Sequence, residues 1–285
     1  MIIVGLDAAD WAVIDPLIEA GKLPAFARLR SSGATGTLMA TPPLVSPIVW
    51  TTIATGRPAD EHGVLDFMVD LPAGGQAPVG SAQRRVPALW NLFSAAGRKV
   101  AVVGWWATSP AEAVSGTIVS DQVAPQLTRA GPLSEGLVSP PSAASAIAPS
   151  IVRPQEISLE ELSAWVPLTR EEYDRAMRAL STPAMRFYDD PLAHLTAVVA
   201  GTRTYGAIAE QLLRREQPSL LAVYLEAIDT VSHLFVRDPR RGPAAIEKAY
   251  READALIGRL AAAAPPDAWI VVCSDHGFYP PTAAV

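Results

Sequence analysis

Three aspartates and two histidines in this chain are spaced as a cation site would need them. "SDHGF" sets Asp275 beside His276, directly after the apolar run "WIVVC". "LEAIDTVSH" puts His233 four residues after Asp229, and "MIIVGLD" ends its apolar run in Asp7. An i, i+4 spacing lets two side chains reach one ion from a single helical turn. Carboxylate and imidazole donors together suit zinc, manganese or iron better than calcium. Alone, each motif has a plainer reading. A strand-end Asp commonly caps the next helix, and "DHG" reads equally well as a turn. Their joint occurrence at the ends of three apolar runs carries the metal reading. Carboxylates delivered to one edge of a sheet repel one another unless a cation lies between them. Of the two other histidines, His62 lies in the turn-like "DEHGV" and His194 lies outside any motif.

A nucleophile candidate stands in "TPPLVSPIVWTTIATGRPADEHGVLDF". Ser46 precedes Pro47, a residue favoured at the first position of a helix, and "IVWTTIATG" continues as a short apolar helix. This spacing predicts Ser46 at the N-cap, where free N–H groups and the helix dipole favour an anion. A serine hydroxyl is a poor nucleophile unless a base or metal activates it. No G-x-S-x-G elbow surrounds this one, so activation by a metal held on the nearby carboxylates is the expectation. The plain alternative is a capping serine with no chemistry.

Short apolar runs alternate with amphipathic stretches, the pattern of a parallel sheet flanked by helices. The predicted strands are "MIIVGL", "KVAVVGWW", "GTIVSD", "SLLAVYLEA" and "AWIVVCS". The predicted helices cover 11–20, about 24–32, about 47–55, 87–96, about 201–215 and 243–262. Ligands of such open sheets bind beyond the carboxyl ends of the strands, which is where Asp7, Asp229 and Asp275 are expected. The stretch from about 125 to 157 is rich in Ser, Pro and Ala with little periodicity. Together with the charged helix expected over "SLEELSAWVPLTREEYDRAMRAL", it reads as an insertion or cap over about 125–185. Residues 70–85, with "PAGGQAP", read as an exposed loop. The expectation is one α/β domain over 1–285 with a mostly parallel central sheet, helices on both faces and a small cap.

Composition narrows the function classes. The chain has 285 residues, enough for one large domain, and 49% of them are apolar. A formal net charge of −6 argues against general nucleic-acid binding, which needs a basic surface. The single cysteine, Cys273, has no intrachain partner and favours a reducing compartment. No signal peptide is visible, and no stretch approaches the roughly 18–20 apolar residues of a membrane span. The chain reads as soluble and cytoplasmic, with a small molecule as its partner. Its oligomeric state is not written in these features.

"GLDAAD", "SPIVWTTIATGRPADEHGV", "GRKVAVVGWWATSP", "LEAIDTVSH" and "CSDHGF", in that order, resemble the alkaline phosphatase superfamily. The nearest branch is the type I phosphodiesterase/nucleotide pyrophosphatase group, and the resemblance extends over most of the chain. It implies two divalent metal ions, zinc first and manganese or iron as alternatives. One ion would be held by Asp7, Asp275 and His276 with Ser46. The other would be held by Asp229 and His233 plus a further histidine. Ser46 aligns with the family's Ser/Thr nucleophile, which attacks phosphorus and forms a covalent ester that is then hydrolysed. The implied activity is hydrolysis of phosphate esters, phosphodiesters or pyrophosphates first. The alternatives are a non-catalytic or impaired metal-binding member, or a sibling activity on phosphomonoesters or phosphonates, or phosphoryl transfer. Two departures stand out. Nucleotide-cleaving members carry an Asn shortly after the nucleophile, where this chain has Pro47, Ile48, Val49 and Trp50. The family's last histidine ligand comes well after the D-H pair, whereas this chain ends at Val285, so a truncated C-terminal part is expected.

Overall fold

The computed structural model describes residues 1–181 and 189–278. In chain order the elements are β1 (Ile2–Leu6), α1 (Trp11–Glu19), α2 (Pro24–Ser32), α3 (Ser46–Thr55), α4 (Ala59–His62), β2 (Met68–Asp70), β3 (Gln76–Pro78) and α5 (Leu89–Ala95). There follow β4 (Val100–Val103), β5 (Gly116–Val119), α6 (Val123–Gln126), β6 (Val138–Ser139), α7 (Ala143–Ile147), α8 (Leu159–Ser163) and α9 (Arg170–Leu180). The described chain closes with α10 (Pro191–Glu216), β7 (Leu220–Leu225), α11 (Ala227–Phe235), α12 (Gly242–Ala263) and β8 (Ile270–Cys273).

Six strands form one sheet in the order β6-β5-β4-β7-β1-β8, parallel throughout except for β6, which runs antiparallel to β5. The central strands are apolar on both faces because helices cover both. Val4, Leu6, Val223 and Leu225 face one core, packed by residues of α10, α11 and α12. Ala222 and Tyr224 face the other, with Trp50 of α3 and Trp90 of α5. The architecture is thus the α/β fold expected, with a mostly parallel sheet between two helical layers. No helix among the described residues is long and apolar enough to cross a membrane.

All five predicted strands form. Several other expectations need correction. Residues 70–85 are not simply a loop, because β2 and β3 pair as an antiparallel hairpin. The Ser/Pro/Ala-rich stretch supplies β6, an edge strand of the main sheet. The single charged helix expected over 158–180 is two, α8 and α9, with Pro167 between them. Each has its own capping box, Ser158 with Glu161 and Thr169 with Glu172, and the second starts a new helix after the proline. Helix α10 begins at Pro191 rather than near 201, because Asp190 accepts hydrogen bonds from the Leu192 and Ala193 N–H groups. The part of the expected cap over 182–185 lies outside the described residues.

One contact fixes α3 against the sheet. Gly5 of β1 pairs in register with Tyr224 of β7 and with Cys273 of β8. A Cβ at Gly5 would stand 2.6 Å from the Trp50 ring, which is fully buried. The missing side chain therefore lets the indole lie directly on the strand. Trp50 also meets Tyr224 and Trp105 edge-on, with ring centroids 5.1 and 5.2 Å apart. Gly5→Ala is expected to destabilise the fold by about 1–3 kcal/mol through overpacking. Urea unfolding followed by far-UV circular dichroism checks this, and an unchanged midpoint would contradict it.

Candidate metal centre

The parallel register brings the carboxyl ends of β7, β1 and β8 level. Leu6 pairs with Leu225, and the Asp7 N–H donates to the Leu225 carbonyl at 3.1 Å. Asp7 therefore leaves the sheet at the edge where Ser274 and Asp275 leave β8. Asp229 arrives differently from the expectation. It does not end a strand but sits in the first turn of α11, one turn before His233. A carboxylate there is favoured by the helix dipole.

Asp7, Asp229 and His276 each offer one ligand atom, and these atoms lie within 4.8 Å of one another. His276 Nε2 is 3.6 Å from Asp7 Oδ1 and 3.2 Å from Asp275 Oδ2. His276 Nδ1 is 3.1 Å from the Gly277 carbonyl, which can only accept, so Nδ1 carries a hydrogen. In the neutral ring, Nε2 then presents a lone pair to two carboxylates. Acceptors facing acceptors require a cation between them or a proton on the ring. Among the described residues, Asp7 Oδ1, Asp229 Oδ1 and Asp275 Oδ2 are all buried without a hydrogen-bond partner. This donor set, oxygen and imidazole with unfilled lone pairs, fits a divalent transition metal.

The electrostatics agree. Burial, reinforced by the Asp7 charge, raises the Asp275 carboxyl to about 9. Burial and the same charge raise Asp229 to about 7. Glu226, the residue directly after β7, is likewise raised to about 7 by burial and by Asp7 and Asp229. Without a cation the cluster is a set of carboxyls that resist ionising together.

The supports around Asp7 and Asp275 were not visible in the motifs. Tyr224 and the Trp50 indole N–H, the latter at 3.2 Å, both donate to Asp7 Oδ2. Burial and the Asp7 charge push the Tyr224 phenol well above its ordinary value, so it stays a donor. Ala8 holds a left-handed φ of 58°, and its N–H donates to Asp275 Oδ1 at 3.2 Å. An alanine with positive φ is strained backbone, here next to a candidate ligand. The glycine of "DHG" has a reason too. A Cβ on Gly277 would fall 2.2 Å from Asp10 Oδ2, and Asp10 is held as the cap of α1.

His233 stands on the outer side of the cluster. Its Nε2 is 3.4 Å from Asp229 Oδ1, its side chain is about half exposed, and its ring meets Phe278 edge-on at 4.9 Å. Asp229 is therefore in reach of His233 as well as of Asp7 and His276. Neither nitrogen of the fully buried His62 is free to join them. Its Nδ1 accepts from the Val64 N–H at 3.1 Å, so the ring donates through Nε2 to Thr52 Oγ1, also at 3.1 Å. Burial lowers the His62 pKa. The unfolded chain therefore takes up a proton that the native ring resists. Stability is full above the ordinary value of about 6.5 and falls as pH drops through it. Urea midpoints from pH 7.5 to 5.5 should decline less steeply in His62→Asn than in the wild type.

Ser46 departs from its expected local role. It is the first residue of α3, and the N-cap is Val45, whose carbonyl accepts from the Ile48 and Val49 N–H groups. Pro47 has no N–H, so the helix start offers an anion little beyond the Ser46 amide itself. The Ser46 hydroxyl caps nothing and has no hydrogen-bond partner among the described residues. It lies one turn before Trp50, on the helix face that carries the indole to Asp7.

A search of curated proteins finds no match. Among solved structures, the chain resembles phosphonoacetate hydrolase from Sinorhizobium meliloti 1021, in complexes with phosphonoformate and with phosphonoacetate. Both share 23% identity at a TM-score of 0.56, over 97% of this chain and 55% of theirs. The chain thus spans about half the length of the solved structures it matches, and the likeness speaks to the fold. The family profile described as Type I phosphodiesterase / nucleotide pyrophosphatase matches residues 1–282. With nearly the whole chain covered, the protein belongs to the type I phosphodiesterase/nucleotide pyrophosphatase family.

Proposed function

We propose that the chain carries the nucleophile and most of the metal ligands of a metal-dependent phosphate-ester hydrolase, acting on phosphodiesters or pyrophosphates. The family is in general metal-dependent. The observation that carries the reading is the set of unpartnered carboxylate oxygens on Asp7, Asp229 and Asp275 around His276 Nε2. Asp7, Asp275 and His276, with Ser46, would hold one divalent ion. Asp229 and His233 would hold part of a second, and zinc suits both donor sets. When bound, such ions supply Lewis acidity toward the serine hydroxyl and the phosphoryl oxygens.

The side chains do the rest. Ser46 Oγ, free of any capping bond, attacks phosphorus as its proton passes to solvent water. The Oγ–P bond forms as the bond from phosphorus to the leaving oxygen breaks, and the leaving oxygen takes a proton from solvent. Water then cleaves the serine ester, which regenerates the hydroxyl and releases the phosphoryl group. Asp7 and Asp275 are buried, which strengthens their pull on a bound cation. Asp229 and His233, on the more open side, face the approaching substrate.

The likeness to a structure solved with phosphonates favours a second reading, hydrolysis of a phosphonate by the same nucleophile. A panel separates the two. Protein stripped with EDTA and reloaded with Zn²⁺ is given bis(p-nitrophenyl) phosphate, p-nitrophenyl phosphate, a dinucleoside pyrophosphate and phosphonoacetate. Zinc-dependent turnover fastest on the diester or pyrophosphate supports the first reading, and turnover on phosphonoacetate alone supports the second. Zinc-independent turnover would contradict both.

A further inference from the structure

Asp7 is the residue on which the cluster turns, and its two oxygens are treated very differently. Oδ2 receives two neutral donors, the Tyr224 hydroxyl and the Trp50 indole N–H at 3.2 Å. Oδ1 receives none among the described residues, is buried, and faces His276 Nε2 at 3.6 Å. Resting on the metal-dependent reading above, we propose that Tyr224 and Trp50 are positioning residues. They hold Asp7 as a one-oxygen ligand, with Oδ2 occupied and Oδ1 alone presented to the ion.

Both donors are built to stay in place. Tyr224 lies in a central strand, in register with Gly5, two residues before Asp7 on the same face of β1. Its ring is packed edge-on between Trp50, at 5.1 Å, and Trp106, at 6.1 Å. Trp50 is fully buried on the gap that Gly5 leaves, and its own carbonyl accepts from Trp105 Nε1 at 3.1 Å. Neither ring can turn without losing packing on both sides. The carboxylate they hold cannot rotate to offer both oxygens without breaking two buried hydrogen bonds. Partners that orient a ligand in this way govern metal affinity and coordination number.

The same pairing ties the nucleophile to the ligand. Trp50 stands one turn after Ser46 on α3, so the bond to Asp7 also fixes where the start of that helix lies relative to the cluster.

The test uses Tyr224→Phe in the full 285-residue chain, which removes one donor and keeps the ring. Co²⁺ is the probe, because its visible absorption weakens as coordination number rises. Metal-free Tyr224→Phe should melt close to the wild type and bind Co²⁺ about 10- to 100-fold more weakly. Its absorption per bound ion should be weaker, because the released Oδ2 joins Oδ1 on the ion. Trp50→Phe should give the same pair of changes, and it carries the test if Tyr224→Phe does not accumulate as folded protein. Equal affinity and an equal spectrum in variant and wild type would overturn the inference and leave the metal reading standing. A lowered metal-free melting point with affinity and spectrum unchanged would mark Tyr224 as structural only, and would equally overturn it. A wild-type chain that binds no Co²⁺ would overturn both.

Discussion

Ser46→Ala is expected to abolish turnover, by on the order of 10⁴-fold or more, without measurable loss of stability. The second half of that expectation comes from the structure. A capping serine replaced by alanine costs about 1 kcal/mol, but Val45 is the cap of α3 and the Ser46 hydroxyl bonds to nothing described. The neighbouring threonines are the controls. Thr51 Oγ1 is buried without a partner among the described residues, so Thr51→Val should be neutral or slightly stabilising and leave turnover intact. Thr52 bonds His62, so Thr52→Val should lower stability and not chemistry. Initial rates on an activated diester, with melting curves for the three variants, check the set. Loss of turnover in Thr51→Val with Ser46→Ala still active would place the nucleophile five residues further along α3 than this reading puts it.

The second large effect has opposite signs for metal binding and for stability. Asp7→Asn is expected to weaken zinc binding by more than about 100-fold, beyond the loss typical of a supporting residue. The same change should raise the melting temperature of the metal-free protein. The Asp7 charge is what holds Asp275 and Asp229 above the ordinary carboxylate range after burial itself. The Asn amide oxygen can still accept from Tyr224 and Trp50, and its NH₂ would face acceptors that now stand unpaired. Zinc titration and calorimetry of stripped protein check both signs. A variant that lost metal and stability together would show that Asp7 serves the fold first.

The parts of this account legible in the sequence are those set by local chemistry. Five apolar runs became strands because a sheet covered on both faces needs continuous apolar sequence. Asp7 directly follows such a run, and Asp275 and His276 come two and three residues after one, which is what made them legible as candidates. Asp229 was expected at a strand end, but the strand stops at Leu225 and the acid rides on the helix after it. The supports of the site were out of reach. Trp50 and Tyr224 lie 43 and 217 positions from the carboxylate they hold; the register of β1 on β7 brings Tyr224 to it, and the gap at Gly5 brings Trp50. The left-handed φ of Ala8 leaves no mark in "GLDAAD", because alanine rarely adopts it. Hairpin β2–β3 was hidden because its strands are three residues each, too short for an alternating pattern.

The central claim is that Ser46 takes up a phosphoryl group. Zinc-loaded protein mixed with excess bis(p-nitrophenyl) phosphate, quenched in acid at early times and digested, gives peptides whose masses report the adduct. The account predicts one peptide, the one containing Ser46, heavier by a single nitrophenyl phosphoryl group, absent from EDTA-treated protein and from Ser46→Ala. Zinc-dependent turnover with the adduct on another residue, or an adduct that persists in Ser46→Ala, would contradict it.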